Sequence, residues 1–153
     1  MSRTETRLGE LSLSLPPVAA PAGVYVPAAG HDGLVHTSGQ LPFVEGALPA
    51  TGKVGAEVPL EQAQEFAAIA TLNALAAIKQ ELGDLDRVTR VLKVTVFVAS
   101  DPSFTQQPQV ANGASELLGE VFGEAGTHVR SAVGVAVLPL DSPVELEVVV
   151  AYE

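Results

Sequence analysis

Apolar residues recur along this chain at two spacings, which divide it into helices and strands. Phe66, Ile69, Leu72, Leu75, Ile78 and Leu82 follow one another at intervals of three or four, the repeat of one helix face. Pro59 opens that segment, Glu61 and Glu65 lie where the helix dipole favours carboxylates, and Gly83 supplies a stop. The pattern predicts a helix over 59–82. A shorter helix is predicted over 107–122, with Val110, Ala114, Leu117, Leu118 and Val121 as its stripe. Elsewhere the period is two. Residues 88–99 are β-branched, and 130–137 alternate large and small apolar side chains. In 144–152, Val144, Leu146, Val148 and Val150 share one face while Glu145 and Glu147 share the other.

Towards the N-terminus, 23–27 and 33–39 read as two short strands joined through residues 30–33, and 40–57 as a loop. Residues 1–22 contain Pro16, Pro17 and Pro21, and Leu11, Leu13 and Leu15 alternate with Ser12 and Ser14. An extended arm laid on an apolar surface is expected there. The order β-β-α-β-α-β-β implies an α+β fold, an α/β sandwich of a roughly six-stranded mixed sheet with two helices on one face. One domain over 1–153 is expected. Val149 and Ala151, with Ala132, Gly134 and Ala136, would be left wet on the other face, so that face is expected to mediate self-association.

Composition narrows the chemistry. The 153 residues are 47% hydrophobic but only 5% aromatic, so the core must be built from Val, Leu, Ile and Ala. A net charge of −10 opposes binding to nucleic acid, where Lys and Arg supply most of the affinity. Without cysteine there is no disulfide, thiolate metal site or Cys nucleophile. No apolar run approaches the ~20 residues of a membrane helix, and polar residues interrupt the N-terminal leucines, which argues against a signal peptide. A cytoplasmic protein is expected.

Several patterns carry little. The stretch 46–53 resembles a phosphate loop, but its spacing is one residue too long, Pro49 interrupts it, and Val54 stands where Ser or Thr would hold magnesium. His31 and His36 are five apart, on opposite faces of a strand, so no metal site is expected from them. His128 stands two residues before Arg130 and could border a pocket, although a solvated loop is the expected reading. Arg130 is different, a lone cation opening a segment of apolar alternation. Its planar fork suits a carboxylate, and Glu145 or Glu147 could meet it across a hairpin or a subunit boundary. A salt bridge that only locks the terminal hairpin is the competing reading. Parity does not separate the two glutamates.

Five pieces then stand in a fixed order: Tyr25 within 21–27; Thr37-Ser38-Gly39-Gln40-Leu41-Pro42; Asn112; Arg130-Ser131 before Leu138-Pro139; and Val144-Glu145-Leu146-Glu147. Together they resemble the Rid (YjgF) family of enamine/imine deaminases, from about Pro21 onward. The resemblance implies a chorismate-mutase-like fold and a homotrimer with active sites between subunits. It implies hydrolysis of 2-imino acids to 2-keto acids and ammonia without a cofactor or metal. Arg130 would grip the substrate carboxylate and Glu145 would assist the attacking water. Tyr25, Ser38, Gly39 and Asn112 would bind substrate. A longer N-terminus, a longer gap between Asn112 and Arg130, and Ala132 where many members carry cysteine mark a divergent branch. A non-catalytic module that binds small carboxylates such as 2-keto acids is the alternative.

Overall fold

Asp32 and Gly33 both take positive φ, 51° and 78°, in a computed structural model that describes residues 2–153. Such a two-residue turn twists as a hairpin requires. It joins β1 (Ala28–His31) to β2 (Leu34–Thr37) as an antiparallel pair. The turn fixes Ala28 opposite Thr37, so the first strand begins after Pro27 and the expected strand at 23–27 is irregular. The chain continues through α2 (Leu60–Leu82), β3 (Val88–Ala99), α3 (Gln107–Phe122), β4 (Val129–Val135) and β5 (Val144–Tyr152). The sheet has five strands, one fewer than expected, in the order β1-β2-β5-β3-β4. Only β3 and β4 run parallel, and α3 is the crossover that a parallel pair needs.

That order corrects the reading of the C-terminal strands. β4 and β5 do not form a hairpin, because β3 lies between them. Val94, Val96 and Val98 of β3 are fully buried, as are Val144, Leu146, Val148 and Val150 of β5. They face α2 and α3, whose Ala63, Ala67, Ala70, Ala74, Ala111 and Ala114 keep the layers close. The helices also cross closely, since a Cβ on Gly113 would lie 2.8 Å from the Gln64 carbonyl carbon. Arg130, Ala132 and Gly134 pair with Val94, Val96 and Val98 and so share the helix side, contrary to the parity expected for Ala132 and Gly134. The open face instead carries Val129 and Val133, both exposed, beside Phe97, Glu145, Glu147 and Val149.

The N-terminal arm is also corrected, because residues 3–10 are helical. Ser2 caps α1 (Arg3–Glu10) by accepting the Glu5 amide at 3.0 Å. Asp86 accepts the Arg3 amide, the Thr4 amide and the Thr4 hydroxyl at 2.7–2.9 Å. Leu8 packs on Leu117 and Val121 of α3, and Leu11, Leu13 and Leu15 continue that contact. Partial burial works against ionised Asp86, but the hydrogen bonds from Thr4 and Arg3 outweigh it and hold its pKa at about 2. A depressed carboxylate stabilises above its ordinary 3.8 and loses that contribution as pH falls through about 2. Asp86→Ala should therefore cost about 1 kcal/mol at neutral pH, as loss of a helix cap does. Thermal melts should show the gap to wild type closing as the buffer passes from 3.8 towards 2. Among the described residues, no helix is long and apolar enough to cross a membrane.

Candidate active site

Pairing between β2 and β5 stops at His36–Val149 and resumes at Gln40–Leu146. Thr37, Ser38 and Gly39 therefore stand against only Glu147 and Val148, and the extra residue makes a bulge. Bulges bend a strand and re-aim what it carries. The Thr37 hydroxyl fills the gap in the ladder by accepting the Val148 amide at 3.0 Å. Gln40 and Leu146 then exchange backbone bonds of 2.7 and 3.0 Å. Ser38 donates its amide to the Pro27 carbonyl at 2.8 Å and its hydroxyl to the Val26 carbonyl at 2.6 Å, tying the segment that bears Tyr25 to the bulge.

Gly39 lies directly on Glu145. A Cβ there would come within 2.9 Å of the Glu145 Cδ and closer still to a carboxylate oxygen, so no other residue fits without moving the glutamate. Glu145 and Gly39 line a cavity of about 340 Å³ with residues 19–22, Tyr25, Leu41, Phe43 and Leu140. Its wall is mostly apolar. Asn73, buried on α2, holds one side by donating from Nδ2 to the Leu41 and Phe43 carbonyls at 3.0 and 3.1 Å. Leu140 is held outward at positive φ, 58°, in a loop fastened by the Lys53–Asp141 ion pair and by the Gly52 amide on the Asp141 carbonyl. The stretch that resembled a phosphate loop thus anchors a cavity wall. Burial, and then the negative charge of Glu147, push the Glu145 carboxyl above its usual range. Glu147, two residues along the same face, is exposed and outside the cavity.

A second cluster sits at the opposite face of the sheet. Arg130 donates from Nη1 to Asn112 Oδ1 at 2.8 Å and to Ser115 Oγ at 3.0 Å, and from Nη2 to the Pro108 carbonyl at 3.2 Å. Its Nε hydrogen and the second Nη2 hydrogen have no partner among the described residues. Nε and Nη2 together form an edge of the fork that can take a carboxylate bidentately. Within one chain Arg130 and Glu145 do not approach each other. They occupy opposite sheet faces on strands separated by β3.

The chain matches, over residues 5–151, the family described as "YjgF/chorismate_mutase-like, putative endoribonuclease". It belongs to the YjgF, or Rid, family. Protein TCP17 of Trypanosoma cruzi is 45% identical over 149 residues, covering 97% of this chain and 93% of that protein. A crystal structure named a putative endoribonuclease, from Shewanella oneidensis, superposes with a TM-score of 0.95 at 35% identity, covering 98% of this chain and 99% of the other. The Escherichia coli protein TdcF, solved with bound serine, gives 0.59 at 26% identity over 91% and 94% of the two chains.

In this YjgF-family chain the fold brings Tyr25, Gly39 and Glu145 into one cavity and Asn112 and Arg130 into another cluster. Ser38 supports the first through backbone contacts. Two neighbours escaped the sequence reading: Asn73 and Ser115. Asn73 carries no local signal. Ser115 stands three residues from Asn112, on the same helix face, so that spacing was available. His128 is half-buried and hydrogen-bonded rather than a free loop residue. His31 pairs with Asp32 at the β1–β2 turn and His36 is exposed on β2.

Proposed function

We propose that this YjgF-family chain hydrolyses 2-imino acids to 2-keto acids and ammonia. One subunit's Arg130 would hold the carboxylate and a neighbour's Glu145 would assist water. The observation that carries this reading is the Glu145 carboxylate, raised by burial and set against side-chain-free Gly39 in a largely apolar cavity. A base lifted towards neutrality is suited to proton transfer. In the reaction, water oxygen bonds to the imine carbon, the C=N electron pair moves to nitrogen, and Glu145 takes the water proton. The carboxyl returns that proton to nitrogen, giving the carbinolamine. The carbinol O–H proton then passes through the same carboxyl to nitrogen as the C–N bond breaks, releasing ammonia and leaving the keto oxygen. RNA cleavage, the activity named for several relatives, has little to recommend it on a chain of charge −10. The serine bound to TdcF favours one second reading, a module that binds amino or keto acids without turnover.

The two halves of the site lie on opposite faces of one sheet, so the proposal requires assembly, and we take it to be a homotrimer. Light scattering should give three times 15.7 kDa. Ammonia release from imines made in situ by an amino acid oxidase tests the chemistry; keto-acid binding without acceleration would select the second reading. Co-expression tests the geometry. Arg130→Lys chains and Glu145→Gln chains, each impaired alone, should together recover about a quarter of wild-type activity, because a random mixture builds that fraction of intact composite sites. No recovery would overturn the shared site between subunits.

A further inference from the structure

Three hydrogen bonds run in series behind Arg130, and each sets the sense of the next. Gly126 ends a 3₁₀ turn (Gly123–Gly126) and is buried, so close to α3 that a Cβ would come within 2.8 Å of the Leu118 carbonyl carbon. Its own carbonyl stands 2.6 Å from His128 Nδ1. A carbonyl only accepts, so Nδ1 must carry the ring hydrogen, and Nε2 of the neutral ring is then an acceptor. The Ser115 hydroxyl lies 2.8 Å from Nε2 and gives it its one hydrogen. With that hydrogen committed, Ser115 Oγ offers Arg130 Nη1 a lone pair at 3.0 Å. Without the histidine the hydroxyl hydrogen loses this fixed acceptor, and the hydroxyl is held by the guanidinium alone.

We propose that His128 and Ser115 are positioning residues for Arg130. By fixing the sense of the Ser115 hydroxyl they hold the Nη1 end of the fork, together with Asn112, and leave the Nε–Nη2 edge facing out for a carboxylate. The inference rests on the reading of Arg130 as the carboxylate-binding residue. Holding the fork before substrate arrives removes an ordering cost from binding. The hydrogen bonds all point one way, from guanidinium to hydroxyl to imidazole to carbonyl, so each strengthens the next.

Calorimetric titration with pyruvate, a carboxylate that cannot be deaminated, reads the site without turnover. Ser115→Ala and His128→Phe should each weaken pyruvate by roughly three- to tenfold, the worth of one hydrogen bond. They should raise KM for imine hydrolysis by a similar factor and leave kcat within about twofold. Ser115→Thr keeps the hydroxyl and should restore wild-type affinity. A Ser115→Ala protein that melts lower yet binds pyruvate as tightly as wild type would overturn the inference and leave the role of Arg130 intact. Wild-type protein that does not bind pyruvate would overturn both.

Discussion

Glu145→Gln should lower kcat for imine hydrolysis by about 10²- to 10⁴-fold, the range expected when a general base is removed. KM should change little, because a carboxylate that takes a proton from water acts mainly in the transition state. The pH profile gives an independent check. Burial, helped by the charge of Glu147, raises the Glu145 carboxyl, and the base is the ionised form. The acid limb of kcat/KM should therefore fall above the ordinary glutamate range and disappear in the glutamine variant. Stability should move the other way. A carboxyl with a raised folded-state pKa stabilises below its ordinary value and loses that contribution as pH rises through the folded one. At neutral pH the ionised group is a burden to the fold, so Glu145→Gln should melt no lower than wild type. A variant that melts lower and keeps its kcat would remove Glu145 from the chemistry. Glu147→Gln, outside the cavity, should do much less.

Arg130→Lys should cost ten- to a hundredfold in kcat/KM although the charge is kept. Lysine replaces a planar fork by a point charge on a flexible stem. One ammonium cannot hold Asn112, Ser115 and the Pro108 carbonyl at 2.8–3.2 Å and still present two parallel hydrogens to a carboxylate. A charged hydrogen bond lost from a desolvated site is worth roughly 1.5–3 kcal/mol. The hairpin salt bridge weighed from the sequence would have predicted near-normal activity. The strand order removes that bridge, since Arg130 touches neither Glu145 nor Glu147 within the chain. Imine hydrolysis and melting temperature measured on one preparation are sufficient. An active but destabilised Arg130→Lys protein would leave the carboxylate site without its main residue.

What could be read in advance follows from which forces are local. The stripes of α2 and α3, the Gly83 stop and the alternation of β5 are properties of neighbouring residues, and each appears where the pattern put it. Strand order is not local. The proximity of 130–137 to 144–152 along the chain suggested a hairpin, yet the α3 crossover lays β4 parallel to β3 and turns Ala132 and Gly134 inward. Self-association is expected from Val149 and Ala151 together with Ala132, Gly134 and Ala136; Val149 does lie on the open face, where the exposed apolar side chains of β4 are Val129 and Val133. The helical α1 has a local signal in the sequence. Ser2 and Glu5 stand at cap spacing, but the alternating leucines further on drew the reading towards an extended arm. At the site, motif residues could be placed by number, while their division between two faces needed the register. Asn73 could not have been found, since what it holds lies 30 and 32 residues away.

The sheet that separates Arg130 from Glu145 makes catalysis, on this proposal, a property of concentration. A lone subunit carries a grip without a base on one side and a base without a grip on the other. Turnover per chain should therefore decline on dilution, once subunits fall below the concentration at which they hold together. Newly made chains would stay inert until they met partners.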